Sequence, residues 1–404
     1  MPGAAYVSGR LTAFFVALVS AEIAGQIQEV AIGWYVFTLH HRVFDLGLVG
    51  LTLFLPTIVL ALVVGLAADR FSRKAIVLLT IACEVLATGS FVVFANLHVD
   101  RLAPYLALIL LLGIARAFAA PAERGMLLRL VPRDRYMHVS ALFSSIRKVV
   151  QVGGPALGGA LVAIGTPVAL ATAIVMLAVG GVAFALLSLP RRVPEAASSQ
   201  TTWHDALGGL RFIRAQPIIL GAISLDLFAV LFGGATALLP AFADTILHVG
   251  PFGLGLLRAA PSVGGFIIAV WLARRPPKNH VGRTLLLSIA VFGIGTILFG
   301  LSHALWFSLF ALAILGGADM ISVAIRSGLV QLNTPDAMRG RVSAVENVFI
   351  GASNELGAFE SGTLAALLGT VPSVVFGGSA TLLVVALWTV VFPRLAKMDA
   401  LHEA

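Results

Sequence analysis

The chain has 404 residues, 59% of them hydrophobic and only 11% charged, with a mean hydropathy of +1.00. A water-soluble domain of this size needs about a quarter of its residues charged to cover its surface, so this composition describes a polytopic membrane protein. The net charge of +8 does not indicate nucleic acid, because the cations recur in short clusters between apolar runs, which is a topology signal.

Cys83 is the single cysteine, so an intrachain disulfide or a cysteine-based metal site is excluded. The histidines lie mostly near run ends (His40, His41, His98, His248, His303), and none forms a metal-ligand pair of the H-E-x-x-H type. No metal or other cofactor is expected. No nucleotide-binding sequence is present either, so ATP is not the expected direct energy source.

Twelve apolar runs are long enough to cross a bilayer as helices of about 20 residues. They cover 11–39, 46–68, 75–95, 103–121, 138–164, 167–189, 218–243, 252–273, 283–301, 304–325, 342–368 and 373–393. The first is too long for a cleaved signal peptide and contains Glu22 and Glu29. One alternate set of loops collects the cations, from Arg70, Arg73 and Lys74 to Arg339 and Arg341, whereas the opposite set holds only Arg42 and Arg101. The positive-inside rule makes the first set cytoplasmic, together with both termini.

Between the sixth and seventh spans lies the one long connection, 190–217. Pro190 to Pro194 ends the sixth span, Ser198 to Thr202 is polar, and Thr202-Trp203-His204-Asp205 reads as a capping box opening a short helix. Trp203, Leu207, Leu210 and Ile213 form its apolar face, which suits the cytoplasmic membrane surface. The expected organisation is therefore a six-helix bundle over 1–189, a linker over 190–217 and a second six-helix bundle over 218–404.

A tandem repeat supports two equivalent halves. A shift of 203 residues pairs Gly125 with Gly328, Pro132 with Pro335, Val139-Ser140-Ala141 with Val342-Ser343-Ala344, Gly159 with Gly362 and Leu161 with Leu364. Matches at one fixed offset near half the chain length indicate duplication, and parallel repeats are one way transporters are built.

Three stretches carry a family resemblance. Gly65-Leu66-Ala67-Ala68-Asp69-Arg70-Phe71-Ser72-Arg73-Lys74 resembles the signature loop between the second and third helices of the major facilitator superfamily, with Ser72 where the family pattern has glycine. Gly154-Pro155-Ala156-Leu157-Gly158-Gly159 is similar to the G-P-x-x-G-G of exporters in that superfamily. Met338-Arg339-Gly340-Arg341-Val342-Ser343-Ala344, running into Gly351-Ala352-Ser353-Asn354-Glu355-Leu356-Gly357, resembles the bacterial branch that includes the enterobactin exporter. The resemblance implies an all-α fold of two pseudo-symmetric six-helix bundles and secondary transport by alternating access in the bacterial inner membrane. It favours export of an amphiphilic drug or siderophore-like metabolite by proton antiport, with proton- or ion-coupled uptake of a small metabolite as the alternative. It also implies a gate in which Gly65, Asp69, Arg70, Arg73 and Lys74 meet Arg339 and Arg341 of the other half. A helix N-terminus with its arginines favours an aspartate there by about 0.3–2 kcal/mol. The alternative for this loop is a plain positive-inside turn.

Charges within the apolar runs point to the transport path, since ionisable groups are costly in hydrocarbon. Glu22 lies about 17 Å into the first span and Arg116 about 18 Å into the fourth. Gln26, Glu29 and Gly33 continue one face from Glu22. The resemblance puts the first, fourth, seventh and tenth helices around a central cavity, where Glu22 and Arg116 could meet. The 203-residue offset carries Arg116 onto Asp319, and Glu22 to within one residue of Asp226. Glu22, Glu29, Asp226 and Asp319 are therefore the candidate proton-coupling acids, with structural ion pairing as the alternative. Gln26, Arg116, Arg147, Asn354 and Glu355 are candidate substrate contacts. Gly154, Pro155, Gly158 and Gly159 allow close helix packing and a kink. The expected partners are a small-molecule substrate, protons and membrane lipid, with the protein as a monomer. A membrane enzyme is disfavoured, because no G-x-S-x-G or clustered His and Asp is present.

Overall fold

The computed structural model describes residues 2–60, 63–64, 67, 70–131, 135–187, 203–275, 277 and 279–401. Every regular element among them is helical. The helices are α1 (Pro2–His40), α2 (Val43–Val59), α3 (Arg73–Asn96), α4 (Leu102–Leu130), α5 (Tyr136–Ile164), α6 (Thr166–Leu186) and α7 (Trp203–Ala215). They continue with α8 (Pro217–Phe232), α9 (Gly250–Arg274), α10 (Val281–Gly300), α11 (Leu305–Asn333), α12 (Asp336–Leu368), α13 (Thr370–Val391) and α14 (Pro393–Lys397). Among the described residues nine helical stretches are long and apolar enough to span a bilayer, counting Pro217–Ile246 as one. The apolar helix α2 is shorter, at 17 residues. Helices α5 and α12 have 29 and 33 residues and carry polar stripes. Side chains such as Leu79, Leu86, Leu186, Trp306, Leu367 and Val390 point outward; on a soluble protein they would be a liability, and in a bilayer they meet lipid.

Helix ends follow local chemistry. Ser72, the position where the family pattern has glycine, is the N-cap of α3, its Oγ accepting from Ala75 N at 3.1 Å. Lys74 Nζ donates to Ala185 O at 2.6 Å and Leu187 O at 3.0 Å, satisfying carbonyls at the C-terminal end of α6. Gly369, at φ +96, joins α12 to α13 where a side chain would be strained. His41, His98, His248 and His280 take left-handed backbone conformations at helix ends, which is the structural reason for their place at the run boundaries. The seventh span is broken after Phe232. Gly233 and Gly234 lead into a 3₁₀ turn (Ala235–Leu238), and Pro240 precedes a π turn (Phe242–Ile246). Gly234 lies against the Gly357 carbonyl of α12, an approach that a side chain would block.

The chain divides into two compact units, Met1–His40 with Thr52–Gln200, and His41–Leu51 with Thr201–Ala404. In the first unit, Phe14 packs between Phe143 and Phe184. Tyr35, Phe91 and Tyr105 form a second aromatic group, with the two tyrosine hydroxyls 3.0 Å apart. In the second unit, Leu225, Ala229, Leu285, Ile289, Ile325 and Leu329 form part of one core, onto which Trp388 and Phe392 pack. Buried hydroxyls of Thr80, Thr88, Ser288, Thr296 and Thr381 donate to carbonyls three or four residues earlier, so no polar group of theirs faces hydrocarbon unpaired. The C-terminal tail folds back under α10, where Val281 N and Gly282 N donate to Asp399 O and Met398 O.

Helices α9 and α11 meet along a seam of small residues. A Cβ on Gly264 would run into the Ala313 carbonyl, and one on Gly316 into the Pro261 carbonyl. Backbone cannot yield as a side chain can. The Gly316→Val variant is expected to lose about 1–3 kcal/mol through overpacking, seen as an earlier thermal transition in detergent when the sole thiol, Cys83, is followed with a thiol-reactive dye.

Candidate functional site

Four helices of the first unit supply its interior charges. On α5, the residues 144, 147, 148 and 151 fall on one face at helical spacing, and 154, 155 and 158 continue it. Gly154 and Gly158 form the contact with α1: a side chain at Gly154 would overlap Gln26, and one at Gly158 would press on Ile27 and Val30. Pro155 and Gly159 are buried in the same stretch. About two turns from Gly154 toward the N-terminus of α5, Arg147 reaches Glu22 of α1, Nε to Oε1 at 2.7 Å. The Nε–H is not aimed along this contact, which is an ion pair. Arg147 also lies over the Phe143 ring, 5.8 Å from its centroid.

Next to this pair runs a directed chain. Arg116 Nη2 of α4 donates to Gln28 Oε1 of α1 at 2.8 Å, and Gln28 Nε2 donates to Thr88 Oγ1 of α3 at 2.7 Å. Thr88 Oγ1 donates to the Glu84 carbonyl at 2.6 Å. Gly25 lies beside the Arg116 guanidinium, with 3.8 Å between an added Cβ and Nη2. Glu84 is buried and within electrostatic reach of Arg116 and Glu22. Glu123 of α4 interacts in the same way with Glu22, Arg147, Glu84 and Arg124. The cluster thus holds Glu22, Glu84 and Glu123 with Arg116 and Arg147.

The second unit has its own charged centre, and it is drier. Arg326 of α11, 2% exposed, sits between two acids. It forms an ion pair with Asp226 of α8 through Nη1, and its Nε donates to Glu346 Oε1 of α12 at 3.2 Å. Ser322 Oγ donates to Asp226 Oδ1 at 3.2 Å. Asp319 lies seven residues before Arg326, on the same face of α11 and half-buried.

Of the sequence candidates, Glu22 and Arg147 form one contact, with Gln26 against the glycine seam beside it. Glu22 is tied to Arg147, while Arg116 is bonded to Gln28. Glu29 is exposed on α1. Asn354 is exposed on α12, its Nδ2 donating to Ile350 O at 2.9 Å. Glu355 lies beside Gly50, where a Cβ would touch its carboxylate. In the loop, Gly65 and Asp69 lie outside the described residues, as do Pro132 and the linker residues 188–202. Arg70 is exposed, and Arg73 Nη1 donates to Gly125 O at 2.5 Å. Arg339 pairs with Asp336 at 2.6 Å and donates Nε to Gln331 O and Thr334 O at the end of α11. Arg341 flanks Gly208 and Gly209 of α7. Sequence reasoning passed over Gln28, Glu84, Glu123, Ser322, Arg326 and, as a site residue, Glu346. One signal could have found two of them: the 203-residue offset carries Glu123 onto Arg326.

The model of a family described as transmembrane secretion effector matches residues 5–404. The chain belongs to this family. Among curated relatives, the enterobactin exporter EntS of Shigella dysenteriae is 27% identical over 395 residues, covering 94% of this chain and 90% of the relative. That of Shigella boydii is 28% identical over 397 residues, covering 95% and 91%. The fold is shared with a bacterial homologue of the iron transporter ferroportin in its inward-facing state, at a TM-score of 0.73 and 16% identity, covering 96% of this chain and 99% of that one. A bacterial homologue of the human lysosomal transporter Spinster also shares it, at a TM-score of 0.69 and 15% identity, covering 97% and 96%. The protein is a transmembrane transporter of the major facilitator type, all-α and multi-pass.

Because Gly158 sets how closely α1 approaches α5, its size controls the Glu22–Arg147 contact. Gly158→Val is expected to lower transport at least tenfold, whereas Gly153→Ala, with nothing within 4 Å of the added Cβ, is expected to leave it unchanged. Uptake into everted vesicles, normalised to protein level, checks both.

Proposed function

We propose that the protein is a proton-coupled exporter of a small organic molecule, an amphiphilic drug or a siderophore-like metabolite, working by alternating access in the bacterial inner membrane. The observation that carries this reading is the Glu22–Arg147 contact at 2.7 Å, inside a cluster that also holds Glu84, Glu123 and Arg116. An acid paired across two helices in a bundle of this kind can exchange its arginine for a proton, and the exchange alters how the helices are held. Membership of a secretion family and the exporter relatives favour outward transport.

On this reading the bundles run over 1–189 and 218–404, joined by 190–217, with both termini cytoplasmic and the protein monomeric among lipids. Glu22 is the principal proton site, with Glu29, Asp226 and Asp319 as further acids. Gln26, Arg116, Arg147, Asn354 and Glu355 meet the substrate. The loop with Gly65, Asp69, Arg70, Arg73 and Lys74 gates the cytoplasmic side against Arg339 and Arg341.

The test uses everted vesicles acidified inside and read with a pH-sensitive dye, to which amphiphilic cations and catechol siderophores are added. Wild type is expected to dissipate the gradient with at least one compound, and Glu22→Gln to lose the response at least tenfold. A Glu22→Gln protein equal to wild type would remove Glu22 as the proton site. Accumulation of the compound by intact cells, in place of its extrusion, would reverse the direction.

A further inference from the structure

The second unit presents a buried group in which two carboxylates share one guanidinium; Asp226 is among the acids proposed above, whereas Glu346 and Arg326 are not. The side chains of Arg326, Asp226 and Glu346 are 3%, 7% and 12% exposed. With all three ionised, the group carries one uncompensated negative charge shut away from water, which is strongly unfavourable. Among the described residues, no other charge on the packed helices is placed to supply the balance. Arg274 of α9, Arg283 of α10 and Arg394 and Lys397 of α14 are exposed. Arg258 of α9 lies six residues before Gly264, which meets α11 at Ala313, thirteen residues before Arg326. Asp226 is the sole ionisable residue of α8, and α13 has none. Helix α11 contributes only a further acid, Asp319. On α7, Arg211 and Arg214 are exposed. On α12 itself, Arg339 is engaged with Asp336 and the end of α11, Arg341 lies beside α7, and Glu355 is another acid.

We infer that Glu346 is a further proton-binding site, with Arg326 as a counter-ion that it shares with Asp226. This rests on the proton-coupled reading above and adds a site to it in the other unit. The two acids are not equivalent. Asp226 receives Arg326 Nη1 and the Ser322 hydroxyl, whereas Glu346 receives only Nε, at the long end of the hydrogen-bond range. A protonated Glu346 still accepts that bond through its carbonyl oxygen, and the group is then neutral. Loss of the proton makes Glu346 compete with Asp226 for the guanidinium and draws α12 toward α11. Because α12 is one helix of 33 residues, a shift at Glu346 is carried to Glu355 and Gly362, about 14 and 24 Å further along at 1.5 Å per residue. There α12 meets the N-terminal half of α2: Gly362 faces Gly47 and the Val43 carbonyl, Gly50 faces Glu355, and Phe44 packs on Phe359. Proton occupancy at Glu346 is thereby linked to the seam between α2 and α12.

The experiment measures protons moved per substrate, and its pH profile, in proteoliposomes with ethidium and a tris-catechol siderophore as probes. Glu346→Gln is nearly isosteric and keeps the acceptor for Arg326 Nε, so it preserves the fold. It is expected to lower the ratio by one proton while substrate still moves, and to remove one step from the pH profile. The triple variant Asp226→Asn, Arg326→Met, Glu346→Gln leaves no charge in this group and is expected to show a ratio at least as low. A purely structural ion pair would change the amount of active protein but neither ratio nor profile, and an unchanged ratio in Glu346→Gln overturns the inference while the exporter reading stands. If wild type moves no protons with either probe, the coupled-exporter reading falls, and this site with it.

Discussion

A charge in the membrane-spanning part of a protein persists only if another group in the same bundle compensates it, and the interior of this protein is arranged around that constraint. Its interior charges bridge helices. Glu22 and Arg147 join α1 to α5, Arg116 and Gln28 join α4 to α1, and Arg326 joins α11 to both α8 and α12. Each tie acts between helices whose apolar surfaces match lipid as well as one another. Packing alone therefore discriminates weakly between arrangements, and the ties select the register.

The two units solve this problem with equivalent positions and different residues. At the offset of 203, Gly154 corresponds to Gly357 and Glu123 to Arg326. Gly154 admits α1 against α5, and Gly357 lies against the Val230 and Leu231 carbonyls of α8. The close helix crossing has been kept in both copies. The charge at the α4 and α11 position has been inverted, an acid among Glu22, Glu84 and Arg147 in one unit and an arginine between two acids in the other. Duplication preserves backbone proximity because glycine is hard to replace where backbones touch, whereas a charge can change sign if its neighbours change with it.

This contrast explains what was legible in the sequence. Nine of the spans, the small-residue stretch at 154–159 and the family were readable, because hydropathy, periodicity and glycine spacing are local signals. Glu22 and Arg147 were readable as isolated charges in apolar runs, but their pairing was not, since it depends on how α1 rotates against α5. That rotation explains Gln28. It lies two residues from Gln26 and so on another face, and it is the buried hydrogen-bonding glutamine, while Gln26 packs on Gly154. Arg326 escaped notice because it lies near the end of its apolar run, where a cation looks like a loop residue. The break after Phe232 was equally hidden, since Gly233 and Gly234 read as ordinary small residues until Gly357 is brought against them.

Glycine seams and charged ties are complementary in a protein that must change shape. Where Gly264 meets Ala313, or Gly47 meets Gly362, helices touch without interlocked side chains, so sliding along the seam disturbs few contacts. Such a contact holds two positions with similar energies and cannot choose between them. A buried ionisable group can choose, because adding or removing one proton changes its interaction with a neighbouring guanidinium by more than a seam contact supplies. Placing the charges on the same helices as the glycines, as α5 does with Arg147 and Gly154 and α12 with Glu346 and Gly357, puts both functions on one rigid rod. The polar stripe of α5 and the overall polarity of α12 are the chemical requirement of that combined role.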